Sequence, residues 1–292
     1  MGWHFNDLDV YVSAVSDVLG ETSYETSNWV SVSNYGLVRS RPTVTRSTNS
    51  TQKVSIPGTL GEKYSRIEQR SNAKIQFEIL VGDVWPHAHL KKSNNAFLRT
   101  VLNRALYLEQ VLNMAKRVAV KEQGHDTMEY YEVADVNIEL NDAYENAAVI
   151  KCTMDIYPFL YEFSSNAPIT IAANASQTLH NELPYSECCP VYIFNNSGSN
   201  KTVSFAYYRG NTLLSNFTLE IKTLPAGKTL VIDTKKMQAY DKTSLDNGNP
   251  EPLNKYVNGD YDQMRIPQNS IATITNGTSG AITVYMRKGL RI

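Results

Sequence analysis

The sequence of 292 residues predicts a mainly β protein with two β-rich domains, the first of which also carries one α-helix and one long β-hairpin. Three observations predict this class. Apolar and polar residues alternate in many short segments, and a single segment has the helical period. Turns rich in Gly and Asn separate the segments after residue 190. The length suits about two domains of ~150 residues each.

Strands are predicted in the first half wherever apolar residues take every second position. The stretch 52–67 alternates at Val54 and Ile56, breaks at Pro57-Gly58 and then turns polar, which predicts a strand, a turn and a second strand. The same alternation predicts strands over 74–81, 136–140 and 149–161, with these apolar positions: Ile75, Phe77, Ile79, Val81; Val136, Ile138, Leu140; Ile150, Cys152, Met154, Ile156. Pro158 is expected to break the last of these strands.

One helix is predicted from about residue 94 to residue 114, with Ser93 or Asn94 as its N-cap. Its apolar positions follow the i, i+3, i+4, i+7 spacing: Phe97, Leu98, Val101, Leu102, Ala105, Leu108, Val111 and Leu112. The segment 116–140 then predicts a β-hairpin with long arms around the turn QGHDT.

The polar stretch 164–190, broken by Pro168 and Pro184, predicts the domain boundary and gives domains of residues 1–165 and 166–292. Strands are predicted beyond it at six places: Val191/Ile193, Val203/Phe205/Tyr207, Phe217/Leu219/Ile221, Leu230/Ile232, Ile271/Thr273 and Ile282/Val284/Met286. Strands at this spacing, separated by Gly and Asn turns, are typical of an antiparallel β-sandwich.

Composition excludes several function classes. The net charge of -1 lacks the concentrated positive charge of a nucleic-acid-binding module. No stretch approaches the ~18 apolar residues of a membrane span, and the N-terminus does not resemble a signal peptide. The three cysteines include one adjacent pair, which predicts reduced thiols instead of a disulfide framework. We therefore expect a protein kept in a reducing cytosol unless something larger carries it out.

Candidate catalytic and metal-binding patterns are weak. His87 and His89 could share one face of a strand, but Pro86 interrupts it and no acidic or cysteine partner is near in sequence. Asp260 and Asp262 fit a turn better than a calcium loop, which needs more oxygen ligands. Since the chain also lacks nucleophile and dinucleotide motifs, the sequence predicts no enzyme, no cofactor and no metal.

A cluster of cations around the predicted helix is opposed by Glu109 alone, and it consists of Lys91, Lys92, Arg99, Arg104, Lys116, Arg117 and Lys121. Such a cluster is commonly a solvated helix face. The functional alternative is an anionic partner, either DNA that passes without sequence-specific contacts or an acidic neighbouring subunit.

Several short motifs, taken in order, resemble those of the distal tail (Dit) proteins of long, non-contractile-tailed bacteriophages. The chain begins with Trp3-His4-Phe5-Asn6 and continues with VSIPG, KIQFEILV, a helix, a hairpin containing Tyr130-Tyr131, and YPFLY. The second half adds LVID, GDYDQMRIPQNSIATI and ITVYMRKGLRI. The resemblance covers nearly the whole chain. It departs at Thr59-Leu60, where many relatives have a basic and an acidic residue, and at Pro267-Gln268-Asn269, which lacks a glycine.

The resemblance implies an N-terminal β-sandwich, with a helix and a hairpin, that forms a ring, followed by a galectin-like sandwich that faces outward. Six copies are expected to form a hub at the tail tip of the virion, assembled in the host bacterial cytoplasm. The hub would join the tail tube protein to tail-tip or baseplate proteins and to the receptor-binding apparatus, with no membrane contact. Pro57, Gly58 and the seven cations of the cluster are the expected ring or partner interface.

Two other interpretations stay open at the level of sequence. The chain could be a carbohydrate-binding β-sandwich module that aids attachment to the host surface. Its sugar-facing aromatics would then be Tyr207, Tyr208, Tyr256 and Tyr261, although strand tyrosines more often pack in a core. The chain could also be an unrelated tail or capsid structural protein.

Overall fold

The fold consists of two compact units that divide between Leu160 and Tyr161, with the short segment Leu19–Thr22 assigned to the second unit. A computed structural model describes residues 8–16, 19–39, 41–46, 52–54, 63–65, 72–82, 94–121, 129–144, 147–182, 186–195, 201–243 and 250–291. Whether each unit folds alone, as the predicted domains require, stays a prediction.

The first unit contains ten strands and one α-helix within its described residues. The strands are β1 (Asp9–Ser13), β2 (Val30–Ser31), β3 (Leu37–Val38), β4 (Thr43–Thr45), β5 (Gln52–Val54), β6 (Lys63–Ser65), β7 (Ala73–Gly82), β8 (Arg117–Lys121), β9 (Glu129–Tyr144) and β10 (Ala147–Glu162). The helix is α1 (Asn94–Asn113), within one residue of its predicted end. No helix in the described residues is long and apolar enough to cross a membrane.

Long antiparallel strands form the main sheet of the first unit. Its strand order is β2-β1-β8-β9-β10-β7, and β7 also pairs with β3 and β4. Along the β7–β10 pair, Phe77 lies opposite Cys152 and Ile79 opposite Ile150. The alternating apolar side chains of β7 and β10 are buried as predicted. Together with Val10, Val12 and Val118 they form one core.

Helix α1 completes this core with one side of its surface. Val101, Ala105, Leu108 and Leu112 are buried in the same cluster as the β7 and β10 side chains. Their spacing brings them to one face of the helix, because a helix turns by about 100° per residue. The predicted inward face is therefore confirmed at these four positions, but Leu102, which the sequence placed with them, is 46% exposed.

Three details of the first unit differ from the expectation. Strand β10 continues through Pro158 to Glu162. The pairing with β7 already ends at Ile156, so the missing N–H of the proline removes no bond to β7. The predicted hairpin pairs Val118 with Tyr131, but β8 has only five residues, and its partner β9 also neighbours β10. Leu140, expected to be buried, is 48% exposed.

The stretch 52–67 forms the predicted pair of strands. Val54 of β5 lies opposite Lys63 of β6 in antiparallel register. Pro57 and Gly58, between these strands, lie outside the described residues.

The second unit contains twelve strands within its described residues. They are β11 (Ile169–Ile171), β12 (Ser176–Asn181), β13 (Ser186–Cys188), β14 (Val191–Phe194), β15 (Lys201–Arg209), β16 (Thr212–Ile221), β17 (Leu230–Asp233), β18 (Gln238–Asp241), β19 (Val257–Asn258), β20 (Ser270–Asn276), β21 (Ile282–Tyr285) and β22 (Lys288–Arg291). The predicted polar boundary at 164–190 thus carries three strands.

Two five-stranded antiparallel sheets give the second unit its sandwich. Their strand orders are β11-β21-β14-β17-β18 and β12-β20-β15-β16-β19. Both sheets contribute to one core, in which Phe205 stacks on Phe217 with ring centroids 4.6 Å apart and Tyr192 meets the edge of Phe205. The structure thus confirms a mainly β chain whose second half is a β-sandwich.

The buried face of β20 carries two polar residues. The sequence predicted a strand at Ile271 and Thr273, and in the structure the buried side chains are those of Ser270, Ala272, Ile274 and Asn276. The two polar ones are tolerated because their groups are hydrogen-bonded: Ser270 Oγ donates to the Pro267 carbonyl, and Asn276 Nδ2 donates to three backbone carbonyls.

A buried ion pair links β17 to the chain just after β21. Arg287 Nη2 lies 2.6 Å from Asp233 Oδ1, and Arg287 Nε donates to the Cys189 carbonyl. The Asp233 side chain is fully buried and that of Arg287 is 6% exposed. Burial alone raises the pKa of Asp233, but Arg287 and the backbone N–H of Lys236 outweigh it, so the net pKa is lowered.

We predict that Asp233→Asn lowers the free energy of unfolding by about 3–5 kcal/mol, because it leaves the Arg287 guanidinium buried without its carboxylate. Since the pKa of Asp233 is lowered in the folded state, the stabilisation is present above the ordinary carboxyl value of about 4 and is lost as the pH falls through the lower folded value. Urea unfolding of both proteins at several pH values measures the difference.

Lys236→Met is the matched control. Lys236 Nζ is 3.6 Å from Asp233 Oδ2, but its side chain is 44% exposed, so its loss is expected to cost under about 1 kcal/mol. A stability difference between wild type and Asp233→Asn that stays constant down to acid pH would contradict the lowered pKa.

Candidate partner interface

The predicted interface cations fall into different environments. Pro57, Gly58, Lys91 and Lys92 lie outside the described residues, and so does the side chain of Arg99, whose backbone belongs to α1. Arg104 and Lys116 are exposed, whereas Lys121 is half-buried. Among the cations of the cluster whose side chains are described, only Arg104 and Lys116 are exposed.

Arg117 does not face solvent as the cationic surface requires, and its assignment to that surface is wrong for this fold. Its side chain is 1% exposed. Its guanidinium lies 4.6 Å from the Trp29 ring centroid and 5.3 Å from that of Tyr130. Arg117 Nε also donates to the Val15 carbonyl at 2.8 Å and Nη2 to Ser13 Oγ at 3.2 Å. Arg117 thus anchors the end of β1, because aromatic faces and backbone acceptors together hold a desolvated guanidinium.

The solvent side of α1 carries an apolar band that sequence analysis did not single out. Its members are Leu102, Leu106, Tyr107 and Met114, with exposed fractions of 46%, 46%, 52% and 55%. At about 100° per residue, these four positions fall within about 140° of the helix circumference. Scattered exposed apolar residues need no explanation, but four on one side of a helix make that side a candidate contact surface.

Tyr107 is held in place within this band. Its ring centroid is 5.2 Å from that of Tyr35. The pKa of Tyr35 is raised, first by desolvation and then by a hydrogen bond with Tyr107. Because the aromatic ring already has a neighbour, it loses little conformational freedom when a partner binds.

Polar side chains share this side of the helix, because Asn103, Gln110 and Asn113 are exposed within the same arc. Arg104 and Lys116 are exposed, and Glu109 is only half-exposed. Apolar side chains among polar ones suit a protein–protein interface, which as a whole is about as apolar as the rest of a protein surface. The signal in the sequence was the excess of apolar positions at 101–114, more than one core-facing stripe requires.

The four tyrosines of the carbohydrate interpretation do not form one surface. Tyr207 is 2% exposed, and its hydroxyl donates to the Gln263 carbonyl at 2.6 Å, so its assignment as a sugar-facing residue is wrong. Tyr256 and Tyr261 are partly buried against the core of the second unit. Tyr208 is half-exposed on the outward side of β15.

The candidate metal sites give no ligand cluster in the described residues. His87 and His89 lie outside those residues. Asp260 Oδ1 accepts a hydrogen bond from the Asp262 N–H at 3.0 Å, and Asp262 pairs with Arg265, which is the predicted turn. Across the described ranges, no group of three or more His, Cys, Asp or Glu side chains is placed to hold a metal ion.

All three cysteines are buried as free thiols. Burial raises the pKa of Cys152 and of Cys189 to about 12, and it raises that of Cys188 further. Cys188 Sγ also donates to the Met286 carbonyl at 3.2 Å. These thiols are therefore core residues, because a reactive cysteine needs access and a lowered pKa.

We predict that the native protein reacts with iodoacetamide at about pH 8 at least ten times more slowly than the same chain in denaturant. The reason is that buried thiols with raised pKa values supply almost no thiolate. Mass spectrometry of alkylated peptides measures each site, and the chain unfolded in guanidinium is the control. Rapid native alkylation of Cys188 would contradict the buried placement.

Comparison with known proteins gives structural matches alone, since the chain matches no protein-family model and no curated protein. It is similar to the Dit protein of phage SPP1, described as a paradigm of the hub adsorption apparatus in phages that infect Gram-positive bacteria. That match has 13% identity and a TM-score of 0.49, over 89% of this chain and 96% of that chain. Two phage baseplate structures in the activated conformation are also similar. The phage P2 structure with calcium gives 10% identity and a TM-score of 0.42, and the phage p2 structure with strontium gives 11% and 0.46, each over 96% of this chain and 98% of that chain.

Proposed function

We propose that this chain is a non-enzymatic structural protein of a phage tail, six copies of which form a ring-shaped hub at the tail tip. The hub connects the tail tube protein to the tail-tip or baseplate proteins and to the receptor-binding apparatus. The observation that carries the proposal is the exposed apolar band on α1, which a second copy of the chain would cover. The role as a tail-tip hub is inferred from the order of the sequence motifs, which resembles that of the Dit family.

The band suits a ring because ring closure needs two different patches on each copy. In a head-to-tail arrangement, the apolar band of one copy contacts a different surface of the next copy. The copies close into a ring when the rotation from one copy to the next is a whole fraction of 360°. Four large apolar side chains could form the fully desolvated centre of such a contact, where most of the binding free energy is found. The exposed cations Arg104 and Lys116 would lie at its rim, toward an acidic neighbour or toward passing DNA.

We predict that the concentrated wild-type protein has six times the monomer mass, or that its complex with a tail partner contains six copies of the chain, and that Leu106→Asp shifts the protein to monomer. A carboxylate placed in an apolar contact loses its hydration without gaining a partner, which costs over about 2 kcal/mol per interface. Light scattering with size-exclusion chromatography measures the mass.

Leu213→Asp is the matched control, because Leu213 of the second unit is 48% exposed and Leu106 is 46% exposed. Both variants should keep the wild-type unfolding transition, since both side chains already face water. The hexamer prediction is contradicted if the wild-type protein is monomeric alone and has another symmetry in the virion.

We predict that the double variant Arg104→Glu, Lys116→Glu reduces the yield of infectious phage, because reversed charge repels an acidic neighbour or passing DNA. The effect should weaken at high salt in the purified assembly, since salt screens exposed charges. Lys222→Glu, an exposed cation of the second unit, is the control. If the double variant leaves the phage yield unchanged, these two cations do not contribute to contact with an acidic neighbour or with passing DNA.

A further inference from the structure

We propose that Asn258 is a modification site, at which the chain deamidates without an enzyme to aspartate and isoaspartate. Asn258 ends β19 and is followed by Gly259, and both residues are exposed. The sequence has two further Asn-Gly pairs: Asn247-Gly248, which lies outside the described residues, and Asn276-Gly277. The inference concerns the second unit alone and does not depend on the hub proposed above.

The reaction needs the asparagine side chain, the next backbone nitrogen and water. The Gly259 nitrogen gives its proton to water and attacks Cγ of Asn258. A C–N bond forms, and the Cγ–Nδ2 bond breaks to release ammonia. Water then opens the resulting succinimide ring: opening at Cγ gives aspartate, whereas opening at the backbone carbonyl gives isoaspartate, whose main chain runs through the former side chain. Because attacking atom and target belong to neighbouring residues, the first step is intramolecular, which favours it over attack by solvent.

The groups that would react at Asn258 are weakly held. Its Nδ2 donates one exposed hydrogen bond, of 3.3 Å, to Glu220 Oε2. The Lys222 N–H donates to the Tyr256 carbonyl at 2.8 Å. Hydrogen-bonded pairs alternate along an antiparallel ladder, so Glu220 and Asn258 form the next such pair and the Gly259 N–H points away from β16. Glycine also has no side chain to hinder the approach of its nitrogen to Cγ.

Asn276 has the same motif in opposite surroundings. It is fully buried, and its Nδ2 donates to three backbone carbonyls. Its Oδ1 accepts from the N–H and the hydroxyl of Thr278 at 2.9 and 2.7 Å. The Gly277 N–H, which would have to attack, donates to the Thr202 carbonyl at 3.0 Å. Both reacting groups are thus tied and kept from water, so the structure singles out Asn258 where the motif alone does not.

Deamidation places a second carboxylate beside Glu220. Strand register sets Asn258 directly opposite Glu220, and the amide now donates to that carboxylate. A carboxylate at position 258 has no proton to donate, and like charges directly opposite each other on neighbouring strands destabilise the pair. Strand β19 has only two residues, so few other ladder bonds hold it to β16. The modification is therefore expected to loosen β19.

Loosening of β19 would reach the core of the second unit. The backbone passes close to Leu219 at Gly259, where an added Cβ would lie 2.6 Å from Leu219 Cδ1. Leu219 is fully buried and belongs to the main core of this unit. Isoaspartate adds a methylene group to the main chain just before Gly259 and so displaces the segment that passes Leu219. We expect the modified chain to unfold more readily than the unmodified one.

The test is incubation of the purified full chain at physiological temperature and mildly alkaline pH, followed by mass spectrometry of its peptides. We expect the replacement of NH2 by OH to accumulate at Asn258 at least about tenfold faster than at Asn276, equivalent to about 1.4 kcal/mol. In guanidinium, where both amides are exposed, the two sites should react at similar rates. Methylation by a protein isoaspartyl methyltransferase detects the isoaspartate. Asn258→Gln, which would have to form a larger ring, should remove the fast site. If Asn258 reacts no faster than Asn276 in the folded protein, the proposal is overturned.

Asn258→Asp tests the effect on the fold directly. It should lower the midpoint of urea unfolding, and Glu220→Gln in the same chain should recover most of the loss, because it removes the repulsion. Asn216→Asp is the matched control, since Asn216 is an exposed asparagine on β16 opposite Ala206, and it should leave the midpoint unchanged. A loss that Glu220→Gln does not reduce would contradict the carboxylate pair. Neither experiment depends on the oligomeric mass, so the test of the hub stays separate.

Discussion

Strand register is the constraint on which both units depend. Side chains alternate along a strand, so a slip of one residue would exchange the buried and exposed sets completely. In the first unit, the register that sets Phe77 opposite Cys152 brings two apolar stripes into one core. In the second unit, Phe205 lies opposite Ile274, and a one-residue slip of β20 would bury Thr273 in place of Ile274. The side chains exposed on the outer face of the sheet are thus a consequence of the packing behind it.

Two buried guanidinium groups show how the fold accommodates charge. Arg287 pairs with the Asp233 carboxylate, whereas Arg117 lies near two aromatic rings and donates to the Val15 carbonyl and Ser13 Oγ. Arginine suits both environments because its planar group has several donors and stacks on aromatic rings. Each arginine binds groups distant in sequence, which fixes the ends of strands that hydrogen-bond ladders alone would leave free to fray. Such pairs are strongly destabilising to break, whatever their net contribution.

The sequence predicted the parts of the fold that follow from local periodicity. Helix α1 and strands β7, β10 and β15 were placed closely, because each has a sustained apolar period and a core on one side. The exceptions have tertiary causes. The buried face of β20 could not be read from the sequence, because the Asn276 amide donates to carbonyls over 100 residues away and to that of Gly280. Arg117 was assigned to a surface because no local pattern marks a cation that will be covered by Trp29.

The candidate surface and the modification site, too, are predictable where they follow from local pattern and unpredictable where they depend on tertiary packing. The apolar band of α1 is implicit in the sequence, since Leu102 and Leu106 exceed what one buried stripe uses, but only packing shows which leucines remain outside. An Asn-Gly pair is likewise visible in the sequence, but it occurs at Asn258 and at Asn276 alike. Only the packing shows that the Asn276 amide donates to three carbonyls in the core, while the Asn258 amide donates to one exposed carboxylate. A motif thus specifies which chemistry a residue can undergo, whereas the burial and the hydrogen bonds around it decide where that chemistry takes place.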